Sequence, residues 1–211
     1  MPEIRVGHTY IRVGRAIRYL GIILDSRWKF HDHFRFVGDK AMRIAQALGR
    51  LMPNLRGPSE GKRRLYATAV LSVVLYGAPV WHDVLAVNIS LARRGQAPIL
   101  RVQRFVAIRV IAGYRSVSLE AAALLALIPP LYLLAAFYSR TYERIRELKM
   151  YGIWTPVDEQ EIRTGERLLL YRQWEVHLRQ RRLSGTRVRE AVSPNFWEWI
   201  ERHRNRGLSS T

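Results

Sequence analysis

Apolar residues that recur at steps of three and four constrain the fold of this 211-residue chain more than any other feature. The clearest run comprises Phe34, Val37, Ala41, Ile44, Leu48 and Leu51. Residues at this spacing share one side of an α-helix, so the run predicts a packed amphipathic helix. The cations of the same segment lie off the apolar side: Arg35, Lys40, Arg43 and Arg50.

A second helix is predicted from about residue 59 to 76. Its first turns carry three consecutive cations, Lys62, Arg63 and Arg64. Positive charge at a helix N-terminus opposes the helix dipole, so a phosphate group would be stabilised there.

A third helix is predicted from about residue 99 to 112, with Arg101 and Arg104 away from its apolar side. The loop that follows holds Tyr114 beside Arg115. A loop tyrosine next to an arginine is suited to stack on a nucleic-acid base. Most of the other large aromatics lie among apolar residues, where core packing is the better interpretation.

Capping residues and prolines delimit the helices of the second half. Ser118 is a candidate N-cap, and Pro129-Pro130 forces a corner. The segment 155–158, Thr-Pro-Val-Asp, has the cap, proline and acid of a helix start, and Ser193-Pro194 begins the last helix. The helix after the double proline is expected to turn these residues inward: Leu131, Leu134, Ala135, Tyr138, Tyr142 and Ile145.

The first 25 residues have a β pattern. Short runs, "IRV", "YIRV" and "IRYLGIILD", predict an antiparallel meander with turns at Gly7 and Gly14. Asp25 ends the last run, and we interpret it as closing the strand and starting the next helix rather than as a catalytic carboxylate. The chain is thus predicted to be mainly α, with a short N-terminal antiparallel β meander followed by a helical bundle and C-terminal helices.

The charge balance points to a polyanionic partner. The chain carries 35 Lys and Arg against 17 Asp and Glu, a formal net charge of +18. Up to Ser118 there are 20 cations and 6 acids, and after it 15 and 11, so the first half is the more basic. Arginine outnumbers lysine and suits bidentate phosphate contacts, although an arginine-rich codon bias could produce the same imbalance.

Sequence motifs give little support for independent chemistry. No two aspartates are adjacent, and neither a nucleophile elbow nor a glycine-rich phosphate loop is present. The histidines at 31 and 33 do not share a helix face and match no zinc spacing, so we predict no metal site and no catalytic residue. The absence of cysteine excludes disulfides. Charged and proline breaks in the apolar runs argue against a membrane partner, and we expect a nuclear or cytoplasmic rather than a secreted protein.

Four segments in order carry a family resemblance. They are "IRYLGIILD" with "KFHDHF", "LMPNLRGPSEGKRRLYATAVLSVVLYGAPVW", "LRVQRFVAIRVIAGYRSVS" and "LEAAALLALIPP". Together they resemble the C-terminal part of arthropod non-LTR retrotransposon reverse transcriptases, of the group that inserts into ribosomal RNA genes and its jockey-like relatives. The resemblance spans about residues 11 to 142.

The resemblance implies a palm end followed by a thumb. Tyr19, Leu20 and Gly21 would be the palm-closing strand, and residues 75–81, "LYGAPVW", a thumb core motif. It implies domains at 1–28 (palm end), 29–152 (thumb-like) and 153–211 (C-terminal helical extension). The catalytic palm, with its Mg-binding acids, would precede Met1, so we expect no cofactor and no polymerase activity in this chain alone.

Two hypotheses remain open. In the first, the chain grips RNA and DNA of a template-primer through the early cations, Tyr114 and Arg115. In the second, it is a non-catalytic helical interaction module or a domesticated nucleic-acid-binding remnant that docks on a partner such as a separate palm. A third and remote alternative is an independent enzyme.

Overall fold

The computed structural model describes residues 3–12, 14–50, 53, 57–86, 89–180 and 182–206. Four strands come first: β1 (Glu3–Val6), β2 (Thr9–Arg12), β3 (Ala16–Tyr19) and β4 (Ile22–Asp25). The helices follow: α1 (His31–Gly49), α2 (Glu60–Val74), α3 (Ala78–Ala86), α4 (Ile89–Val110), α5 (Leu119–Leu125), α6 (Leu131–Met150), α7 (Pro156–Leu178), α8 (Thr186–Val192) and α9 (Phe196–Arg206), with a 3-10 turn at Ser193–Asn195. The predicted fold class, mainly α after short antiparallel strands, is confirmed.

The strands form two hairpins rather than one continuous meander. Among the described strands, β1 pairs with β2 and β3 with β4, both antiparallel. Gly7 closes the first hairpin with φ +63°, as predicted, but the second reversal falls at Leu20-Gly21, where both residues have positive φ. Gly14 therefore separates two hairpins instead of turning a third strand onto the second.

The second hairpin docks where α2 ends. The Tyr76 hydroxyl donates to the backbone oxygen of Leu20 over 3.0 Å. A Cβ on Gly77, whose φ is +69°, would lie only 2.5 Å from Cδ1 of the buried Ile22. The hairpin can approach this closely only because glycine stands at position 77.

Asp25 connects β4 to α1. Its carboxylate accepts hydrogen bonds from the backbone N–H groups of Arg27, Lys29 and Phe30 at 2.7 to 3.2 Å. Burial raises the pKa of Asp25, but these donors outweigh it, so the net pKa lies below its usual range. The carboxylate has the structural role that the sequence suggested.

A first core joins α1, α2 and α4 with β4 and parts of α3, α5 and α6. A Cβ on Gly38 of α1 would lie 2.6 Å from Cβ of Pro98, which stands inside α4. The third predicted helix was expected to start after this proline. It starts ten residues earlier, because Pro98 is accommodated within the helix against the bare backbone of Gly38.

A second core joins α7, α8 and α9 to α5 and α6. Trp174 and Phe196 pack edge to face, with ring centroids 5.5 Å apart. Two predicted caps are confirmed, because Ser118 accepts from the Ala121 N–H and Thr155 with Asp158 forms a capping box. The predicted start of the last helix at Ser193-Pro194 is wrong, because these residues form a 3-10 turn after α8 and α9 begins at Phe196. The domain limits 1–28, 29–152 and 153–211 stay a prediction.

The register of α6 differs from the prediction. Tyr138 and Tyr142 were expected inward, but they are 42% and 53% exposed. Phe137 and Thr141, one residue earlier in each case, are buried instead. The packing of α7 against α6 determines which residues are covered.

His33 of α1 is buried against the second hairpin. Its ring lies among Phe30, Phe34 and Trp81, and Nδ1 accepts from the Ile23 N–H over 3.4 Å. Within the described residues, Nε2 is buried without a hydrogen-bond partner. Burial lowers the pKa of His33 to about 4, so the folded protein holds the ring neutral.

We expect acid to destabilise the fold through His33. Below pH of about 6.5 the unfolded chain binds a proton that the folded chain takes up only near pH 4. The free energy of unfolding should therefore fall across this window, by up to about 3 kcal/mol, and the loss should be complete below it. Urea unfolding of wild type and His33→Leu between about pH 7.5 and about pH 4 measures the difference. The exposed His31→Leu is the control, and equal pH dependence in wild type and His33→Leu would contradict the assignment.

Candidate nucleic-acid interface

Two arginines of α1 and the arginine at its C-cap lie on one exposed side. Arg35, Arg43 and Arg50 are all exposed, and at about 100° per residue they fall within an arc of about 80°. From first to last they span on the order of 22 Å along the helix axis. Asp39 shares the arc, and Asp32 pairs with Arg35 at 3.5 Å, although both side chains of that pair are more than half exposed.

Arg101 of α4 points to the same side. Gly38 lies against Pro98 and Gly49 against Phe105, so α1 and α4 run parallel. Arg101 lies about 40° to 60° around α4 from Pro98 and Phe105, in the sense opposite to that in which the arginines lie on α1. When two parallel helices are viewed down their axes, rotations away from the shared contact in opposite directions lead to the same side of the pair. Arg101 therefore lies on the same side as the arginines of α1. We call Arg35, Arg43, Arg50 and Arg101 the arginine face.

The two predicted lysines lie at different distances from the arginine face. Lys40 is exposed on α1, one turn beyond Phe36 and at the margin of the arginine face. Lys62 is exposed on α2, which packs against both α1 and α4. Because the arginine face is open to solvent, α2 must cover the opposite side of the pair. The structure therefore brings Lys40 close to the face and separates Lys62 from it.

Arg63 is a correction to the prediction of a phosphate contact. The residue is 6% exposed. Its guanidinium donates to the backbone oxygens of Pro58, Arg109 and Pro53 at 2.7 to 3.0 Å. A buried guanidinium whose three nitrogens each donate to a backbone oxygen is not available to a ligand, so Arg63 holds the entry to α2 against the end of α4.

Arg64 and Arg104 are also used within the fold. Arg64 pairs with Glu60 at 2.6 Å and donates to the backbone oxygen of Ala126. Arg104 donates to the backbone oxygens of Val117 and Arg115, and so holds the loop after α4. Their predicted contacts with nucleic acid would require these bonds to break, and we therefore leave both outside the interface.

The loop residues Tyr114 and Arg115 are exposed, and Tyr114 is 85% exposed. Arg104 fixes the backbone of this loop while the tyrosine ring itself stays in solvent. The geometry permits the predicted stacking of a base on Tyr114.

Tyr19, Leu20 and Gly21 form the end of β3 and the turn to β4. The Tyr76 hydroxyl binds this turn, so the two segments singled out by the family resemblance lie against each other. Tyr19 and Leu20 themselves are 62% and 72% exposed.

Arg18 is a cation that sequence reasoning missed. It belongs to the exposed strand β3, and its guanidinium lies 4.8 Å from the ring centroid of Phe36. This cation-π contact places a charge beside α1 near Lys40. Strand alternation indicates that the Arg18 side chain points away from the core. Only the docking of the hairpin shows that it contacts α1.

Within the described part of the chain, no group of three or more His, Cys, Asp or Glu residues is arranged to hold a metal ion. No helix there is long and apolar enough to cross a membrane by itself. The pair formed by Glu60–Val74 and Ala78–Leu85, bent by 89°, reaches the required length and composition together.

Replacing Arg63 should destabilise the fold rather than weaken ligand binding alone. Arg63→Met removes a buried guanidinium and leaves three partly buried carbonyl groups without their donor, and we expect a loss of about 3 kcal/mol in the free energy of unfolding. Urea unfolding measures it, with the exposed neighbour Lys62→Met as a control that should lose less than about 0.5 kcal/mol. Unchanged stability of Arg63→Met would overturn the structural assignment.

Among curated proteins, the chain is similar to a protein of a retrotransposable element. Over 143 residues, 67% of the chain, the sequence is 30% identical to a 115 kDa protein in the type-1 retrotransposable element R1DM of Drosophila melanogaster. The match spans 14% of that protein. No family model matches the chain, and no solved structure matches it. The chain is therefore related to a protein of a retrotransposable element.

Proposed function

We propose that the chain is the palm-end and thumb segment of a non-LTR retrotransposon reverse transcriptase, which grips the template-primer duplex and does not polymerise DNA by itself. The observation that carries the proposal is the arginine face on two parallel helices. The relationship to a retrotransposon protein and the family resemblance of residues 11 to 142 support it.

The arginine face has the chemistry of a backbone grip. Guanidinium groups bind phosphate oxygens through two parallel hydrogen bonds, and each contact releases counterions from the duplex. Asp32 does not prevent this, since an exposed ion pair is weak and a phosphate can replace it. Arg18 and Lys40 extend the positive surface along one edge of α1.

RNA and DNA are the proposed ligands, and the fingers and catalytic palm of the parent enzyme are the proposed partner. Magnesium belongs to the palm in this proposal. The proposed location is nuclear or cytoplasmic, where the template and the primer meet.

A second candidate function is docking on another polypeptide through α2. The outer side of α2 carries no charge between Leu65 and Tyr76, and these two residues are 67% and 56% exposed. Leu20 of the hairpin turn, bonded to Tyr76, extends the same uncharged surface. This side lies opposite the arginine face, so both functions can coexist.

The arginine face is tested by the salt dependence of duplex binding. We expect the variant Arg35→Gln/Arg43→Gln/Arg50→Gln/Arg101→Gln to bind an RNA-DNA hybrid more weakly. The slope of log K against log salt should become less steep by about 3 to 4, since each phosphate contact contributes about 0.9 on B-form DNA. Fluorescence anisotropy titrations at salt concentrations from about 50 to about 200 mM measure the slope.

The matched control removes the same charge elsewhere. Arg167, Arg172, Arg187 and Arg202 are exposed in the second half of the chain, and their four glutamine substitutions should leave the slope within about 1 of wild type. An equal decrease of the slope in both variants would show that duplex binding depends only on the net charge of the chain. No loss in the first variant would exclude the arginine face and leave docking through α2 as the remaining candidate.

A further inference from the structure

A groove lies between α6 and the beginning of α7, away from the arginine face. Its volume is about 560 Å³, and its lining includes Tyr138, Tyr142, Arg146, Lys149, Arg163 and Thr141. We call it the tyrosine groove. None of these residues was a candidate in the sequence analysis, where both tyrosines were expected in the core.

The two tyrosines form a stacking platform. Tyr138 and Tyr142 are four residues apart, so they lie one above the other on one side of α6, about 6 Å apart along its axis. Both residues are more than 40% exposed. Exposed aromatic faces in a row accept successive bases of a single strand regardless of sequence.

The charges of the groove favour a polyanion. Arg146 and Lys149 lie within about 80° of Tyr138 around α6, whereas Glu143 and Glu147 lie about 140° and about 180° away. Glu159 also lines the groove, pairs with Arg163 at 2.8 Å and attracts Lys149, so Arg146 is the lining cation best placed for a phosphate, with Lys149 beside it. The ammonium group of Lys149 lies 4.8 Å from the ring centroid of Trp154, which holds it at the end of the groove.

The floor of the groove contains an unused hydroxyl. Thr141 is 3% exposed, and within the described residues its Oγ1 is buried without a hydrogen-bond partner. A buried polar atom without a partner is unfavourable unless a ligand or water satisfies it. Around α6, Thr141 lies about 60° from Tyr138 on the side away from Tyr142, so its hydroxyl lies at the base of the groove and not between the two rings.

We propose that the tyrosine groove binds single-stranded nucleic acid. Two neighbouring bases stack on Tyr138 and Tyr142, and the phosphates meet Arg146 and Lys149. The strand is bound mainly by stacking, in contrast to the duplex contacts proposed for the arginine face. A strand that leaves the duplex would thus have its own site on the second core.

The test compares alanine and phenylalanine at the two tyrosines. A fluorescent oligothymidylate is the probe. Tyr138→Ala/Tyr142→Ala should bind it at least about tenfold more weakly with an unchanged salt slope, because stacking is lost and the phosphate contacts remain. Tyr138→Phe/Tyr142→Phe should bind within about twofold of wild type, since phenylalanine also stacks. Arg146→Gln/Lys149→Gln should reduce the slope by about 0.7 per contact.

The control Tyr10→Ala/Tyr151→Ala removes two exposed tyrosines outside the groove and should bind like wild type. Thermal unfolding confirms that each variant folds. The proposal would be overturned if the double alanine variant bound the probe as tightly as wild type. It would also be overturned if the alanine and phenylalanine variants lost affinity equally, or if folded wild type did not bind the probe.

The quadruple arginine variant separates the two proposals. Oligothymidylate binding that survives in this variant supports the groove, whatever happens to duplex binding. Oligothymidylate binding that depends on the arginine face and not on the tyrosines would overturn the groove and leave the proposed function intact.

Discussion

The close contact between α1 and α4 is the constraint on which the rest of the structure depends. Gly38 has no side chain, and Pro98 occupies the space that a Cβ would need. Ala41 and Ala45, on the same apolar side of α1 as Gly38, are almost completely buried. Together with the contact of Gly49 with Phe105, the contact of Gly38 with Pro98 places the two helices side by side and parallel, which gives their outer arginines one common side. Without it, Arg101 would have no fixed relation to the arginines of α1.

Arginine has two different uses in this chain, and composition cannot separate them. Arg63 and Arg189 are buried and bind backbone oxygens, whereas Arg35 and Arg43 are exposed. The difference is decided by tertiary structure, because a guanidinium enters the interior only where several carbonyl groups converge. Three of the cations predicted to contact nucleic acid are therefore bound within the fold. The net charge of +18 overstates the positive charge that a polyanion can reach.

The sequence predicted the features that depend on a few neighbouring residues. The caps at Ser118 and Thr155 and the role of Asp25 were predicted because the side chain and the backbone it binds lie within five residues. Features that depend on distant packing were missed. The exposure of Tyr138 follows from the placement of α7, and the early start of α4 depends on Gly38 as much as on Pro98. The tyrosine groove could not be predicted for the same reason.

The two proposed surfaces divide the recognition of nucleic acid between charge on the first core and stacking on the second. The most direct measurement of the central claim is modification of arginines by a dicarbonyl reagent, read by mass spectrometry with and without an RNA-DNA hybrid. Arg35, Arg43, Arg50 and Arg101 should react in the free protein and be protected by the hybrid, Arg167 should react in both cases, and the buried Arg63 in neither. Protection spread evenly over all exposed arginines, or absent from the arginine face, would contradict the account.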